Sequence, residues 1–184
     1  AAWNMALDEA LVATAAQRAR PLLRLYAWDR PAASFGYFQA YPAALAPRYA
    51  IVRRPTGGGI VYHDGDTTYT VVVPAGHRLH RLRAAAAYCL LHQAVAAALA
   101  ARATLVAADT AAPRGQYECF ESPVAGDVVR AGRKLAGGAQ RRTRTGMLHQ
   151  GSIATAVSPA TLCAGFEQVL QATFTPWSPD AATL

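Results

Sequence analysis

Hydrophobic residues recur along the chain with two periods, and these periods predict its helices and strands. A period near 3.6 predicts an amphipathic helix from residue 4 to about residue 20, with Asn4 as its N-cap. The same period predicts the longest helix over residues 81–102, which is rich in alanine and leucine. A last helix is predicted to begin at Ser158-Pro159, because serine caps a helix and proline suits its first turn.

Shorter segments rich in β-branched and aromatic residues predict the strands. Residues 60–63 and 67–73 flank the turn-forming Asp64-Gly65-Asp66, which predicts a β-hairpin. Residues 128–130 are predicted to pair with residues 134–136 across a tight turn at Ala131-Gly132. Further strands are predicted at residues 22–28, 33–38, 51–54, 104–107 and 146–153. Because helices and strands alternate irregularly, the pattern favours an α+β fold with a mixed β-sheet over a doubly wound one.

Composition bounds the class of protein. A chain of 184 residues with 53% hydrophobic residues is expected to form one domain, residues 1–184, with a core of its own. No apolar run reaches the length of a membrane span, so no membrane association is expected. Three scattered cysteines form neither a disulfide framework nor a zinc site, which predicts no metal and a reducing, cytoplasmic environment.

The net charge of +7 predicts an acidic partner, either nucleic acid or an acidic protein. Aromatic residues do not interleave with the arginines as a base-stacking surface requires, which weighs against nucleic acid.

Lys134 is the one lysine in a chain that otherwise carries its positive charge on arginine. If Lys134 begins a strand, the period of two puts on one face Lys134, Ala136, Gly138 and Gln140. That face is nearly bare of side chains, and Gly137 and Gly138 then indicate a slot beside the ammonium for a thin ligand. A bulge or tight sheet packing is the alternative explanation for the glycines.

Two other places in the chain could carry chemistry. The triplet Gly57-Gly58-Gly59 can expose backbone N–H groups, and the charged residues around it could bind a carboxylate or phosphate; they are Arg53, Arg54, His63 and Asp64. A plain loop is the alternative. Cys119 lies in an irregular segment, whereas Cys89 and Cys163 fall on predicted apolar helix faces. A reactive thiolate at Cys119 would need a nearby positive charge, from Lys134 or His149; a structural cysteine is the alternative.

Three segments, residues 53–64, 132–141 and 148–153, resemble in this order the signatures of the lipoate-protein ligase and octanoyltransferase superfamily, and residues 4–11 resemble its opening helix. The resemblance implies a mixed β-sheet flanked by helices, shared with biotin ligases, and an acyl tunnel with Lys134 near the acyl carbonyl or carboxylate. The substrate-binding residues that it implies are Arg53, Thr56, Gly57, Gly58, Gly59, His63, Gly137, Gly138, Ala139, His149 and Gly151.

Residues 119–123, Cys-Phe-Glu-Ser-Pro, resemble the cysteine segment of the transferase branch found in bacilli. This implies an octanoyltransferase that needs no cofactor, in which Cys119 attacks the thioester and Lys134 stabilises the thiolate and the oxyanion. Its expected partners are acyl carrier protein and lipoyl-domain acceptor proteins, with Arg141, Arg142 and Arg144 either in a basic docking surface or merely solvated. We expect a monomer.

Two alternatives stay open at this point. One is an ATP-dependent lipoate-protein ligase that uses ATP and Mg²⁺, with Cys119 incidental. Gln150 stands where many ligases have a second histidine and so fits the transferase, whereas Gly59 stands where some transferases have arginine and so keeps the ligase open. The other alternative is a non-catalytic module that binds an acyl or biotinyl group.

Overall fold

The computed structural model describes residues 1–99, 103–107 and 123–179. Within these residues the helices are α1 Ala2–Ala13, α2 Arg78–Arg81, α3 Ala84–Ala98 and α4 Pro159–Leu170. The strands are β1 Leu22–Tyr26, β2 Ala32–Phe35, β3 Ala50–Arg53, β4 Val61–His63, β5 Thr67–Pro74, β6 Thr104–Leu105, β7 Val128–Arg130, β8 Arg133–Arg142 and β9 Gly146–Ile153.

The strands form two sheets in the described part of the chain. The larger sheet has six strands in the order β1-β5-β9-β8-β7-β6, and all its neighbours are antiparallel. The smaller sheet has the order β3-β2-β4, in which β2 runs parallel to β3 and antiparallel to β4. The predicted α+β fold with mixed pairing and flanking helices is therefore confirmed, and the parallel pair belongs to the smaller sheet.

The two faces of the larger sheet meet different partners. One face packs against α3 and α4 in the main hydrophobic core, where Tyr69 of β5 meets Leu91 and Phe166. The opposite face packs against α1 through Val72 and Leu148. Because both faces are covered, β9 is buried at every position. The smaller sheet also lies on the α1 side, and the space left between these elements holds the candidate site.

The predicted hairpin over residues 60–73 is wrong. β4 and β5 are consecutive in the chain, but β4 pairs with β2, whereas β5 pairs with β1 and β9. The connection at Asp64-Gly65-Asp66 carries the chain from one sheet to the other. β5 is buried from Thr68 to Pro74, and β1 and β9 satisfy its backbone on both sides, which leaves β4 to pair with β2.

The predicted N-cap of the first helix is also wrong. α1 begins at Ala2 without a side-chain cap, and Asn4 lies inside the helix, where its side chain contacts the backbone of Ala27 and the guanidinium of Arg24. The long helix predicted over residues 81–102 is present as α3, but it begins at Ala84, because Leu82 is extended and separates it from α2.

Local signals elsewhere are confirmed. Ser158 caps α4 by accepting a hydrogen bond from the backbone of Thr161, and the β7–β8 turn uses the positive φ angles of Ala131 and Gly132, 48° and 75°. Across the described residues, none of the helices combines the length and the apolar composition that crossing a membrane requires.

Gly165 marks the closest approach of α4 to α3. A Cβ added there would press on the carbonyl oxygen of Ala94 and lie 2.7 Å from the backbone nitrogen of Ala98. We expect Gly165→Ala to lower the free energy of unfolding by about 1–3 kcal/mol, because backbone atoms cannot move aside. Urea unfolding of both proteins measures this. Gly57→Ala is the control, since a Cβ at Gly57 would meet nothing within 4 Å; equal losses in the two variants would contradict the packing argument.

Candidate active site

An open pocket lies between α1, the smaller sheet and the α1-facing side of the larger sheet. It encloses about 440 Å³ of free space, its mouth included. Its apolar walls are formed by Met5 of α1, Tyr26 and Trp28 at the end of β1, and Val61 of β4. Trp28 is fixed in place because its indole N–H donates to Thr68 Oγ1 at 2.8 Å and its ring stacks on His63. The pocket is therefore a largely apolar cleft with a fixed wall.

The floor of the pocket is a row of paired residues across four strands, which ends at Tyr26 of the wall. Gly137 of β8 pairs with Ser152 of β9, Ser152 pairs with Thr68 of β5, and Thr68 pairs with Tyr26 of β1. Neighbouring strands lie about 4.8 Å apart, so the row extends over roughly 14 Å. Because Gly137 has no side chain and Ser152 and Thr68 have short ones, the row forms the floor of a slot that runs across the strands.

Lys134 lies at the β8 end of this slot as part of a buried ion pair. Its Nζ is 2.7 Å from Oδ2 of Asp127, and the two side chains are 3% and 0% exposed. Asp127 also accepts hydrogen bonds from the Tyr88 hydroxyl at 2.6 Å and from the backbone N–H of Val124 at 2.8 Å. Burial and the neighbouring Asp127 charge raise the pKa of Tyr88, so this hydroxyl stays a donor. The ammonium is thus held at one place by a fixed carboxylate.

The strand face predicted for Lys134 is wrong by one residue. Leu135 is an extra residue in the β7–β8 pairing, because Val128 pairs with Ala136 while Val129 pairs with Lys134. This bulge turns Lys134 onto the face of Gly137, where an added Cβ would lie 2.7 Å from the lysine Nζ. The bulge lies at Leu135 and not at the glycines, and it brings the ammonium to Gly137; the binding of a thin ligand beside it stays a prediction.

Gly138 and Gly151 are glycines for a different reason. A Cβ on Gly138 would lie 2.9 Å from the His149 ring, and a Cβ on Gly151 would collide with the Tyr69 ring. Both rings belong to the core on the other side of the sheet. The backbones of these two glycines line the pocket while their missing side chains leave room for the rings beneath. A floor of bare backbone results.

Arg54 holds the triple-glycine loop in its curved shape. Its guanidinium donates to the carbonyl oxygens of Gly57 and Gly59 at 2.9 and 2.8 Å, and to the backbone oxygen and hydroxyl of Ser34 at 2.7 and 2.9 Å. Gly58 has a φ of 93°. The loop thus turns carbonyl groups towards Arg54, and the predicted contact of its N–H groups with a ligand stays a prediction.

A hydrogen-bonded chain runs beside the pocket through His63. Its Nδ1 is 2.8 Å from Asp66 Oδ2, and its Nε2 is 2.7 Å from the hydroxyl of Ser34. Burial lowers the pKa of His63, against the opposing effect of Asp66. The neutral ring then donates through Nδ1 and accepts from Ser34. His63 is therefore a fixed wall residue against which Trp28 stacks.

A second polar chain joins α1 to the glycine loop. Gln150 donates to Asp8 Oδ2 at 2.8 Å and accepts from the Thr56 hydroxyl at 2.7 Å. Asp8 is fully buried, and it forms an ion pair with Arg24 at 2.9 Å. Burial raises the pKa of Asp8, although its hydrogen bonds and Arg24 oppose that effect. Asp8 was not predicted to support the site; its position on the buried side of α1, three residues after Met5, was the available signal.

Comparison with known proteins decides the family. The family model described as "Lipoyl protein ligase A/B catalytic domain" matches residues 1–175. The chain belongs to this family. It is 37% identical over 179 residues to the Octanoyltransferase LipM of Kyrpidia tusciae, an alignment that covers 89% of this chain and 65% of that protein. It is 35% identical over 169 residues to the Octanoyltransferase LipM of Geobacillus kaustophilus, covering 83% and 60%. The chain thus spans between 60% and 65% of the length of these relatives.

Solved structures of lipoate-protein ligases share the fold. A crystal structure of lipoate-protein ligase A bound with ATP superposes with a TM-score of 0.74 at 20% identity, covering 97% of this chain and 84% of that one. A bi-partite lipoate protein ligase from Thermoplasma acidophilum gives a TM-score of 0.71 at 19% identity, covering 98% and 83%. At these identities the likeness shows the architecture, and the chemistry has to be argued from the residues.

The structure brings some of the predicted site residues of this family member together. Lys134, Gly137, Gly138, Ala139, His63 and Gly151 line the pocket. Thr56 donates a hydrogen bond to Gln150, and Gly57 and Gly59 accept hydrogen bonds from Arg54. Both Gln150 and Arg54 line the pocket. The predicted nucleophile Cys119 lies outside the described residues, so its role stays a prediction. Cys89 and Cys163 are half-buried on α3 and α4.

Two predicted residues lie away from the pocket. Arg53 is at the surface, where it donates to the carbonyl oxygens of Tyr37 and Gln39, both at 2.7 Å. His149 faces the core, 3.2 Å from the Tyr69 hydroxyl, because Gln150 and not His149 points to the pocket side of β9. Burial, followed by the nearby His92, holds the pKa of His149 well below its ordinary value, so it is no source of positive charge near neutral pH.

Metal binding was not predicted. In the described ranges, no cluster of three or more histidine, cysteine or acidic side chains is arranged to hold a metal ion.

The buried histidines predict a loss of stability in acid. Burial lowers the pKa of His92 to about 4, against the hydrogen bond to the carbonyl of Gly126. His92 is protonated near pH 6.5 in the unfolded chain but only near pH 4 in the folded protein. Its contribution to stability is therefore fully present above pH 6.5 and is lost as the pH falls towards 4. For His92 alone the loss reaches about 3 kcal/mol at pH 4.

Urea unfolding at pH 7.5 and pH 4.5 measures this loss. His92→Gln, which can still donate to the Gly126 carbonyl, is expected to flatten the pH dependence, and an unchanged slope in that variant would contradict the assignment.

Proposed function

We propose that this chain is the catalytic domain of an octanoyl-[acyl-carrier-protein]:protein N-octanoyltransferase. It transfers an octanoyl or lipoyl group from a carrier thioester to a lysine of a lipoyl-domain protein. The observation that carries the proposal is the narrow slot that ends at the buried Lys134–Asp127 pair. The relatives named Octanoyltransferase LipM support it, and they indicate the acyl group that the slot would take.

The acyl chain lies along the slot, over the backbone of Gly137 and Gly138 and against Met5 and Trp28. Apolar walls and a bare floor bind methylene groups by removing them from water. The thioester carbonyl is then at the Lys134 end, where the ammonium can donate a hydrogen bond to its oxygen.

The first step makes a covalent intermediate. The Cys119 thiolate attacks the carbonyl carbon of the carrier thioester, and the negative charge moves to the carbonyl oxygen. Lys134, held by Asp127, stabilises that oxyanion. The bond to the carrier sulfur then breaks, and the carrier leaves as a thiol after taking up a proton. Cys119 keeps the acyl group as a new thioester.

The second step forms the amide. The neutral amine of the acceptor lysine attacks the Cys119 thioester, and Lys134 again stabilises the oxyanion. The carbon–sulfur bond breaks, one amine proton passes to the departing sulfur, and the cysteine is restored. Because the thioester supplies the activated carbonyl, the reaction needs neither ATP nor Mg²⁺. We expect the enzyme to act in the cytoplasm, where it would meet these proposed substrates.

Mass spectrometry of the intact protein tests the covalent step. After mixing with octanoyl carrier protein and no ATP, we expect a mass increase of one octanoyl group, absent in Cys119→Ser. Cys89→Ser and Cys163→Ser are the matched controls, because their thiols lie half-buried on helices, and both should keep the adduct. No adduct, together with lipoate-dependent exchange between ATP and pyrophosphate, would instead establish the ligase.

Substitutions at the slot test the role of the compact ammonium. We expect Lys134→Arg to lower kcat by about 100-fold, because the larger planar guanidinium cannot lie beside Gly137 and still meet the oxyanion. Gly137→Ala should act similarly by displacing Lys134 from Asp127. Arg133→Lys, at an exposed neighbouring position, is the control and should retain full activity. Full activity in Lys134→Arg would refute the assigned role.

A further inference from the structure

An aromatic surface lies outside the pocket, on the segment that connects β2 to β3. We define the Tyr37–Phe38 surface by Tyr37, Phe38, Tyr41, Arg53 and Arg141. The aromatic side chains are 47%, 89% and 57% exposed, respectively. The rings of Tyr37 and Phe38 contact each other with centroids 5.2 Å apart. Adjacent exposed rings of this size are uncommon on a surface that meets only water and indicate a site of interaction.

The backbone beneath this surface is fixed. The N–H of Tyr37 donates to the carbonyl of Thr56 at 2.9 Å, and Arg53 donates to the carbonyls of Tyr37 and Gln39, both at 2.7 Å. The Tyr41 ring packs edge-on against Phe35. The backbone that carries the rings is therefore held in position before a partner binds, which lowers the entropy lost on binding.

The charge next to the rings is positive. The guanidinium of Arg141 lies over the Tyr37 ring at 5.4 Å, and that of Arg53 lies over the Phe35 ring at 4.4 Å. Glu9 is the acidic side chain that approaches Arg141, at 3.9 Å and with both side chains partly exposed. Tyrosine and arginine are enriched among residues that dominate binding energy. A complementary partner has an apolar patch with acidic residues around it, in keeping with the net charge of +7.

The surface adjoins the pocket at two places, one on β8 and one at Thr56. Arg141 follows Ala139 by two residues on β8, so both lie on the face that carries Gly137, and Ala139 lines the pocket. Thr56, which holds the backbone of Tyr37, also holds Gln150 of the pocket. The surface is thus joined to the rim of the pocket through β8 and through Thr56.

We propose that the Tyr37–Phe38 surface docks the acceptor domain, whose lysine receives the acyl group. This rests on the proposed function. A lysine side chain is short, so the body of its domain must lie against the rim when the amine reaches the Lys134 end. A carrier protein presents its thioester on a long prosthetic arm, and its body can lie farther away. A surface at the rim therefore fits the acceptor better than the donor.

The test measures transfer from enzyme already acylated by octanoyl carrier protein. Two acceptors are compared: the folded lipoyl domain, and a short peptide that contains its target lysine. Phe38→Ala should raise KM for the domain about tenfold and leave transfer to the peptide unchanged, because the peptide lacks the docking face. Phe38→Trp should restore the low KM, which a merely structural role of Phe38 would not require.

Charge reversal provides the second variant. Arg141→Glu should raise KM for the domain by about tenfold at low salt and by less at high salt, where charges are screened. Arg83→Glu is the matched control, since Arg83 is exposed at the start of α3, on the opposite side of the larger sheet. It carries the same change of charge and should behave as the wild-type protein.

The outcomes separate this inference from the function on which it rests. If the wild-type protein forms no Cys119 adduct and transfers nothing, the proposed function fails. If it transfers normally but Phe38→Ala and Arg141→Glu leave KM for the domain unchanged, the docking surface is wrong. If these variants slow acylation by octanoyl carrier protein and spare transfer to the domain, the surface binds the donor, which also overturns the inference.

Discussion

The ion pair between Lys134 and Asp127 is the interaction around which the pocket is built. Burying two charges is costly unless hydrogen bonds satisfy the donor and acceptor positions that the ion pair itself does not use. Tyr88 and the backbone of Val124 do this for Asp127. Tyr88 also accepts from the backbone N–H of Gly138, on the edge of β8 beyond the end of β7. One carboxylate therefore joins α3, β7 and β8 at the point where the ammonium meets the slot, and it explains why a compact cation stands among glycines.

Strands that are buried on both faces explain most of what sequence analysis could not predict. β9 has no solvent-facing side, so its hydrophobic pattern does not tell the pocket face from the core face. His149 and Gln150 are neighbours, yet the first packs against Tyr69 and the second reaches Asp8. Residues 60–73 resembled a hairpin because of the turn-forming Asp64-Gly65-Asp66, and a local turn signal carries no information about which strand becomes the partner.

Features set by local chemistry were predictable. The β7–β8 turn, the serine cap of α4 and the floor glycines beside Lys134 each depend on residues a few positions apart. The bulge at Leu135 was not, since it depends on the register in which β8 pairs with β7. Asp8 was missed because its partner Gln150 is 142 residues away in sequence. The pairing of buried polar groups that are far apart in sequence is decided by the folded structure. In a single sequence, such groups are visible only as isolated polar residues on otherwise apolar faces.

The charges near the slot are largely matched, and this bears on its chemistry. Lys134 is paired with Asp127, and Arg24 with Asp8. Arg54 donates to carbonyl groups and to a hydroxyl, so a phosphate bound there would have to displace those acceptors. A thioester and the amide made from it are both uncharged, and negative charge arises only at the oxyanion between them. In the proposed transfer, a pocket with matched charges would stabilise this oxyanion through the ammonium of Lys134 and would not hold an anionic substrate or product tightly.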